Sequence, residues 1–351
     1  MQPLYQSSTL QKKLALQKKQ KTFRGKTVIA FTDIDGTYIE NKNYTPYKNV
    51  IEFQKPRYTD AARSFTSFLD SYNIPIVAIT GRQLYEVFNG QIGGSRYEEE
   101  HLPIFDAIAP SIGTELYILK DTNQVNYTKD IEYGFLVKET SGFDRDTLYP
   151  LCEELKKNID TKFPALKLSF QSKDQKTNMF KVDPKSGQSI PFEPYRISFT
   201  AKKDVVNPYV LQTLVLNFLR GQGFGKVEYI FTINPHDIYI DIAAVAKNFP
   251  VQYLKNLLKV NIGLVAGDSG NDKLMLMHAP SAGFIPNDAK PELVNEIRGI
   301  PGIKSTEYYV ILPNGVPIYI EPLEVKKDSY HGPQSLQASF AAYLTHLIET
   351  G

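Results

Sequence analysis

One cysteine, Cys152, stands in a chain of 351 residues. A disulfide framework is therefore excluded, as are most thiolate metal sites. The five histidines fall at no metal-ligand spacing, so zinc is not expected. No apolar run approaches the ~18 residues that span a bilayer. The first residues also lack the apolar centre of a secretory signal, which makes a cytoplasmic protein the expectation. Acidic residues are absent from the first 26 positions, which hold seven basic ones: Lys12, Lys13, Lys18, Lys19, Lys21, Arg24 and Lys26. The remainder carries 33 basic and 38 acidic residues, so the overall net charge of +2 hides an acidic body behind a basic leader. Such a leader reads as a frayed, solvated segment with a short helix around Leu10 and Leu14. Its charge also suits contact with an anionic surface. No nucleic-acid partner is expected.

Apolar residues make up 42 % of the chain, enough for a sizeable core, and the length allows two domains. Apolar runs predict strands at 26–33, 74–80, 104–109 and 115–119. Helical spacing over 58–72 (Ala61, Phe65, Phe68, Leu69) and a helix start at 83–89 alternate with them. This alternation predicts a doubly wound, Rossmann-like α/β core. From about Lys120 the pattern becomes α+β. Strands are expected at Phe135-Leu136-Val137, 166–170, 196–199, 227–232 and 237–242, the last two joined by a turn at Asn234-Pro235. Helices are expected near 146–158 and 208–220. The core resumes near Val245, with strands at 262–266, 282–285, 308–312 and 317–320 and a closing helix over 335–348. The expected organisation is a leader over 1–25, a core over 26–118 and 245–351, and an inserted α+β domain over 119–244.

Two segments carry most of the chemistry. Asp33-Ile34-Asp35-Gly36-Thr37 follows the apolar run Val28-Ile29-Ala30-Phe31, and Gly267-Asp268-Ser269-Gly270-Asn271-Asp272 follows Ile262-Gly263-Leu264-Val265-Ala266. In an open parallel sheet, ligands bind outside the carboxyl ends of the strands. Carboxylates gathered there repel one another unless a cation joins them, and oxygen ligands suit a hard ion such as Mg2+. Such a site is equipped to handle a phosphate ester, a dianion that resists nucleophilic attack. Asp33 is the candidate nucleophile and Asp35 the candidate general acid and base. Asp268 and Asp272 supply further acidic groups for a metal. Thr80 can donate to a phosphoryl oxygen, and Lys247 can neutralise charge there.

These segments resemble the motifs of the haloacid dehalogenase superfamily. The first motif is Asp33 to Thr37, the second Thr80 before Gly81-Arg82, the third Lys247, and the fourth Gly267 to Asp272. The resemblance spans roughly 26–351. Only 46 residues separate Asp33 from Thr80, whereas 166 separate Thr80 from Lys247, so an inserted domain must lie between the second and third motifs. That arrangement is similar to the subfamily IIB phosphatases with a C2-type α/β cap. Ser269, the run Ser111-Ile112-Gly113-Thr114-Glu115-Leu116-Tyr117 and the segment Tyr195-Arg196-Ile197-Ser198-Phe199 resemble its sucrose-phosphatase-like members. Relatives commonly follow the third-motif lysine with glycine; here Asn248 follows it.

The resemblance implies a Mg2+-dependent phosphatase working through an aspartyl-phosphate on Asp33, expected to act on a sugar phosphate. Metal ligation is implied for Asp33, the backbone carbonyl of Asp35, Asp268 and Asp272. Phosphate binding is implied for Thr80, Gly81, Lys247 and Asn271, and substrate contact for Thr114, Glu115 and Arg196. Other readings are a phosphatase of phosphoproteins or of another phosphate ester, a serine hydrolase using Ser269 with His236 or His278, and a phospho-accepting module without turnover. Gly221-Gln222-Gly223-Phe224-Gly225-Lys226 is similar to a phosphate-binding glycine loop, but it follows a helix and precedes a strand, so a helix-ending turn is expected there.

Overall fold

The computed structural model describes residues 8–20, 23, 25–39, 60–84, 86–87, 102–121, 125–166, 168–170, 180–182, 189–191, 193–233, 237–287, 289–320 and 332–350. Asn234-Pro235 and His236 lie outside the described residues, as does part of the helix expected over 83–89. The chain divides into two compact units, a larger one of residues 1–131 and 247–351 and a smaller one of residues 132–246. The boundary expected at 118/119 therefore moves to 131/132, and the return moves from 244/245 to 246/247.

In chain order the strands are β1 (Val28–Thr32), β2 (Ile76–Ile79), β3 (Ala107–Ala109), β4 (Tyr117–Asp121), β5 (Asn126–Lys129), β6 (Ser169–Phe170), β7 (Phe180–Val182), β8 (Ser189–Pro191), β9 (Arg196–Lys202), β10 (Glu228–Ile233), β11 (Asp237–Ala243), β12 (Ile262–Ala266), β13 (Ala282–Ile285), β14 (Lys304–Ser305), β15 (Tyr309–Ile311) and β16 (Pro317–Ile320). The helices are α1 (Thr9–Gln20), α2 (Asp60–Ser71), α3 (Ile131–Ser141), α4 (Arg145–Lys162), α5 (Pro208–Gly221), α6 (Asn248–Leu258), α7 (Lys273–Met277), α8 (Pro291–Arg298) and α9 (Gly332–Thr350).

The larger unit is built on a ten-stranded sheet in the order β14-β15-β16-β13-β12-β1-β2-β3-β4-β5. Its central strands are parallel, with β1 paired to β12 on one side and to β2 on the other. Every residue of β1, β2 and β12 is buried, as a parallel strand covered on both faces requires. The strand order reverses about β1, so the crevice beyond Thr32 and Ala266 is where such a sheet binds ligands. The edges turn antiparallel: β4 and β5 extend one side, β15 and β14 the other. The β4–β5 hairpin is why the domain boundary shifts, since both strands belong to this sheet. Helix α2 turns Ala62, Phe65 and Leu69 into the core, beside Leu336, Phe340 and Leu344 of α9. The Phe65 and Phe340 rings meet edge to face at 5.1 Å.

The short helix expected around Leu10 and Leu14 is present as α1, but over residues 8–20 it is packed and not solvated. Leu10 and Leu14 of α1 are buried. The Gln17 side chain behaves like an extra length of backbone: its Nε2 donates to the carbonyls of Val28 (2.9 Å) and Asn73 (2.8 Å), and its Oε1 accepts from Val28 N (2.7 Å). Lys13 pairs with Asp70 at 2.8 Å and with the buried Asp106 at 2.9 Å. Lys12, Lys18, Lys19 and Lys26 face solvent. A basic composition therefore hides an apolar and hydrogen-bonding face.

The smaller unit has a four-stranded antiparallel sheet, β10-β11-β9-β6, and a two-stranded ribbon, β7-β8. Ile197, Phe199 and Ala201 alternate inward along β9. Leu148, Cys152, Leu155 and Ile159 of α4 are buried, as are Leu211, Val215 and Leu219 of α5. Asn207 caps α5 by accepting from Tyr209 N at 2.9 Å, with Pro208 at the first helical position. The strand expected at Phe135-Leu136-Val137 is instead the middle of α3. Tyr133, Val137 and Ser141 are buried at a four-residue spacing, while Phe135 is 63 % exposed. The Gly221–Lys226 run ends α5, with Gln222 N donating to the carbonyls of Phe218 and Leu219. Among the described residues no helix is long and apolar enough to cross a membrane.

Candidate active site

Asp33 is the first residue past β1, and its N–H donates to the Ala266 carbonyl at the end of β12 (3.0 Å). That pairing sets Asp33 and Asp268 side by side at the carboxyl ends of the two central strands. Gly36 turns the chain back with φ +80°, and Thr37 Oγ1 donates to Asp268 Oδ1 at 3.2 Å. Gly267 admits the Asp272 side chain: a Cβ there would stand 2.4 Å from Asp272 Cβ. Asp272 accepts at Oδ2 from the backbone N–H groups of Asp268 (3.1 Å) and Ser269 (3.0 Å), which closes the loop on itself.

Lys247 begins α6 and is fully buried. Its ammonium lies 2.8 Å from Asp33 Oδ1 and 2.7 Å from Asp272 Oδ1. The carboxylate oxygens of Asp33, Asp268 and Asp272 lie within 4.8 Å of one another, all three residues being buried. One ammonium thus faces three carboxylates. Burial, and then the Asp272 charge, push Asp33 up to about 7 although Lys247 opposes them. Burial also drives Asp268 well above the usual carboxylate range; Lys290 opposes the shift, and Asp272 and Asp33 add to it. For Lys247, burial acts downward, but Asp272 and Asp33 outweigh it and raise the ammonium above its ordinary value. A set of hard oxygens with excess negative charge and little water is what a small divalent cation relieves, so the donor set fits such an ion.

Asp35 stands apart from this trio. Its carboxylate is gripped by Arg82, Nε to Oδ2 at 2.6 Å and Nη2 to Oδ1 at 2.7 Å. No role for Arg82 is legible in the sequence beyond its position directly after Thr80-Gly81. Thr80 is buried, and its Oγ1 accepts from Arg82 N at 3.2 Å. A Cβ on Gly81 would lie 3.9 Å from Asn271 Nδ2, so the second and fourth segments adjoin. Asn271 Oδ1 accepts from Ser269 Oγ at 3.0 Å.

The run at 111–115 supports the site from below. Ser111 and Ile112 have φ of 52° and 64°, a left-handed conformation that is costly for a β-branched residue. Backbone bonds hold it there, with Ser111 N donating to Arg82 O and Ile112 N to Thr80 O, both at 2.8 Å. Gly113 packs against Pro250 and the Lys247 backbone. Thr114 is fully buried and donates to Ser111 O, while Glu115 is held by Lys129 and Tyr117. Arg196 belongs to the smaller unit. It is 8 % exposed, and its Nη2 lies 2.6 Å from Glu193 Oε1. Ser269 Oγ bonds to Asn271 and Asp272 of its own loop, and His278 Nδ1 lies 2.9 Å from the Leu274 carbonyl; among the described residues no Ser269–His278 hydrogen bond is present.

The family profile described as Sucrose-6F-phosphate phosphohydrolase matches residues 151–302, a span that includes Lys247 and the whole Gly267–Asp272 loop. No curated protein matches the chain significantly. Among solved structures, the sucrose-phosphatase from Synechocystis sp., in complex with sucrose and phosphate, is 19 % identical, with a TM-score of 0.56 over 91 % of this chain and 98 % of its own. A haloacid dehalogenase-like hydrolase from B. subtilis is 14 % identical (TM-score 0.44, 75 % of this chain and 91 % of its own). A haloacid dehalogenase superfamily phosphatase from Bacteroides thetaiotaomicron is 13 % identical (TM-score 0.46, 76 % and 87 %). The chain thus shares the fold of the Synechocystis sucrose-phosphatase, and its residues 151–302 are similar to the sucrose-6F-phosphate phosphohydrolase family.

Proposed function

We propose that the protein hydrolyses the phosphate monoester of a small sugar or similar polyol, with Mg2+ and through an aspartyl-phosphate on Asp33. The observation that carries this reading is the Lys247 ammonium set between Asp33 and Asp272 in a buried carboxylate cluster. Asp33 Oδ attacks phosphorus while the leaving oxygen takes the P–O bonding pair and a proton from Asp35. Water then attacks phosphorus, its proton passes to Asp35, and the Asp33–phosphorus pair returns to Asp33. Lys247 keeps Asp33 oriented and offsets negative charge on the transferring group. Thr80, Gly81 and Asn271 are assigned to the phosphoryl oxygens. Asp33, the Asp35 carbonyl and Asp268 are assigned to the ion, with Asp272 fixing the loop that presents them. Bound there, Mg2+ would offset the repulsion between the carboxylates and the substrate dianion.

Residues 132–246 are assigned the role of cap, with Arg196 setting substrate choice; Thr114 and Glu115 are assigned to the core side of the substrate site. The sugar phosphate is favoured over a phosphoprotein by the profile match. The test is a phosphate-release screen over phosphorylated sugars, phosphopeptides and 4-nitrophenyl phosphate with Mg2+. Asp33→Asn is expected to cut turnover by at least ~100-fold, because it removes the attacking oxygen. Full turnover by Asp33→Asn would overturn the mechanism, and a preference for phosphopeptides would overturn the substrate class.

A further inference from the structure

We propose that Arg82 is a positioning residue for Asp35, the group that handles the proton; this rests on the phosphatase reading above. Three observations carry it. The guanidinium takes both Asp35 oxygens in a fork, at 2.6 and 2.7 Å. A fork fixes the rotation of a carboxylate, which a single donor does not. The Arg82 side chain is 9 % exposed, whereas that of Asp35 is 38 % exposed, so the buried partner anchors the accessible one.

The Arg82 backbone is itself fixed at both ends. Its N–H donates to Thr80 Oγ1, and its carbonyl accepts from Ser111 N. The left-handed turn at Ser111–Gly113 supplies the donor that holds Arg82 in place. The chain has two separate charge arrangements at one crevice. Lys247 serves Asp33 and Asp272, and Arg82 serves Asp35. The nucleophile and the proton-handling group are thus oriented by different cations from different segments.

The test is a mutant cycle of Arg82→Gln and Asp35→Asn with Mg2+. It uses 4-nitrophenyl phosphate, whose leaving oxygen needs no proton, and an alkyl phosphate such as a hexose 6-phosphate, whose leaving oxygen does. Proton transfer by a placed group contributes about 10²–10⁴-fold, so Arg82→Gln should lower kcat on the alkyl phosphate by ~10- to 100-fold and less on the aryl one. KM should stay within about threefold, and Arg82→Gln should add less than about threefold in the Asp35→Asn background. Arg82→Lys should recover only part of the loss, because an ammonium is a single point of charge. Losses that multiply across the cycle, or a raised KM at unchanged kcat, would overturn the proposal and make Arg82 a direct substrate ligand. If Arg82→Gln does not fold, Arg82→Lys with Asp35→Asn completes the same cycle. Full turnover by Asp33→Asn would instead sink the underlying mechanism, independently of Arg82.

Discussion

A Cβ placed on Gly36 would lie 2.5 Å from Asp268 Oδ2. The turn after the first aspartate and the head of the fourth segment are therefore built against each other, with no room for a side chain between them. Gly36 also sits at φ +80°, where an L residue is strained. Gly36→Ala is expected to destabilise the protein by about 1–3 kcal/mol and to lower turnover by at least ~10-fold, because Asp268 must move. Thermal unfolding and phosphate release would read the two effects. Wild-type values for both would show that the turn adapts.

The carboxylate cluster makes stability depend on pH in a definite direction. Asp33 is raised from 3.8 to about 7 in the folded, metal-free protein. Between those values the folded state keeps a proton that the unfolded chain has released, so this contribution to stability falls as pH rises from about 4 to about 7. A cation favours the ionised form and removes the penalty. The Mg2+-induced rise in Tm should accordingly be small at pH 5 and grow toward pH 8. Asp33→Asn should weaken the metal-free pH dependence and leave the part that Asp268 contributes. An equal Mg2+ shift at pH 5 and pH 8 would contradict the account.

Gln17→Ala removes both partners of the Val28 backbone and one from Asn73. Leaving such buried groups without partners costs about 1–3 kcal/mol each, so a loss of about 2–4 kcal/mol is expected after partial rearrangement. Denaturant unfolding would measure it. Gln17→Glu should be worse than Gln17→Ala or equal to it, since an ionised carboxylate supplies no donor to the two carbonyls. A loss under ~0.5 kcal/mol for Gln17→Ala would mean that α1 is not held by this side chain.

Arg196→Ala would remove the guanidinium that lies 2.6 Å from the buried Glu193 and 3.9 Å from Asp241. Breaking a buried pair from one side costs about 3–5 kcal/mol, whereas removing both partners costs far less. The single variant is thus expected to unfold earlier than Glu193→Gln combined with Arg196→Ala. Both should be assayed on 4-nitrophenyl phosphate and on the best sugar phosphate. If Arg196 selects substrate as proposed, even the stable double variant should lose more on the sugar phosphate. Equal losses on the two substrates would assign Arg196 to the architecture of the smaller unit alone.

What the sequence discloses here follows from where the information lies. The runs Val28–Thr32 and Ile262–Ala266 are strands buried on both faces, and their apolar continuity announces them. Asp33, Lys247, Asp268 and Asp272 come together because they follow such strands or begin the next helix. Arg82 gripping Asp35 depends on a distance across 47 residues, which no local pattern encodes. Gln17 is polar among lysines and looks solvated until its backbone partners are known. The hairpin strand β5 leaves no signal in the sequence because Asn126-Tyr127-Thr128-Lys129 is a half-exposed edge with no apolar run. Phe135-Leu136-Val137 misled for the opposite reason: three adjacent apolar residues imply a strand, yet Val137 alone of them is buried.

The position of β1 between β2 and β12 has a consequence for how the chain is born. A ribosome emits β1 and β2 early, but the partner for the other edge of β1 is complete only when residue 266 has been made. All of residues 132–246 are synthesised in the interval. Until then the strand that leads into Asp33 has one open edge, and Asp268 and Asp272, which share its carboxylate cluster, have not been made. The last central strand to dock also brings Asp268 to Asp33.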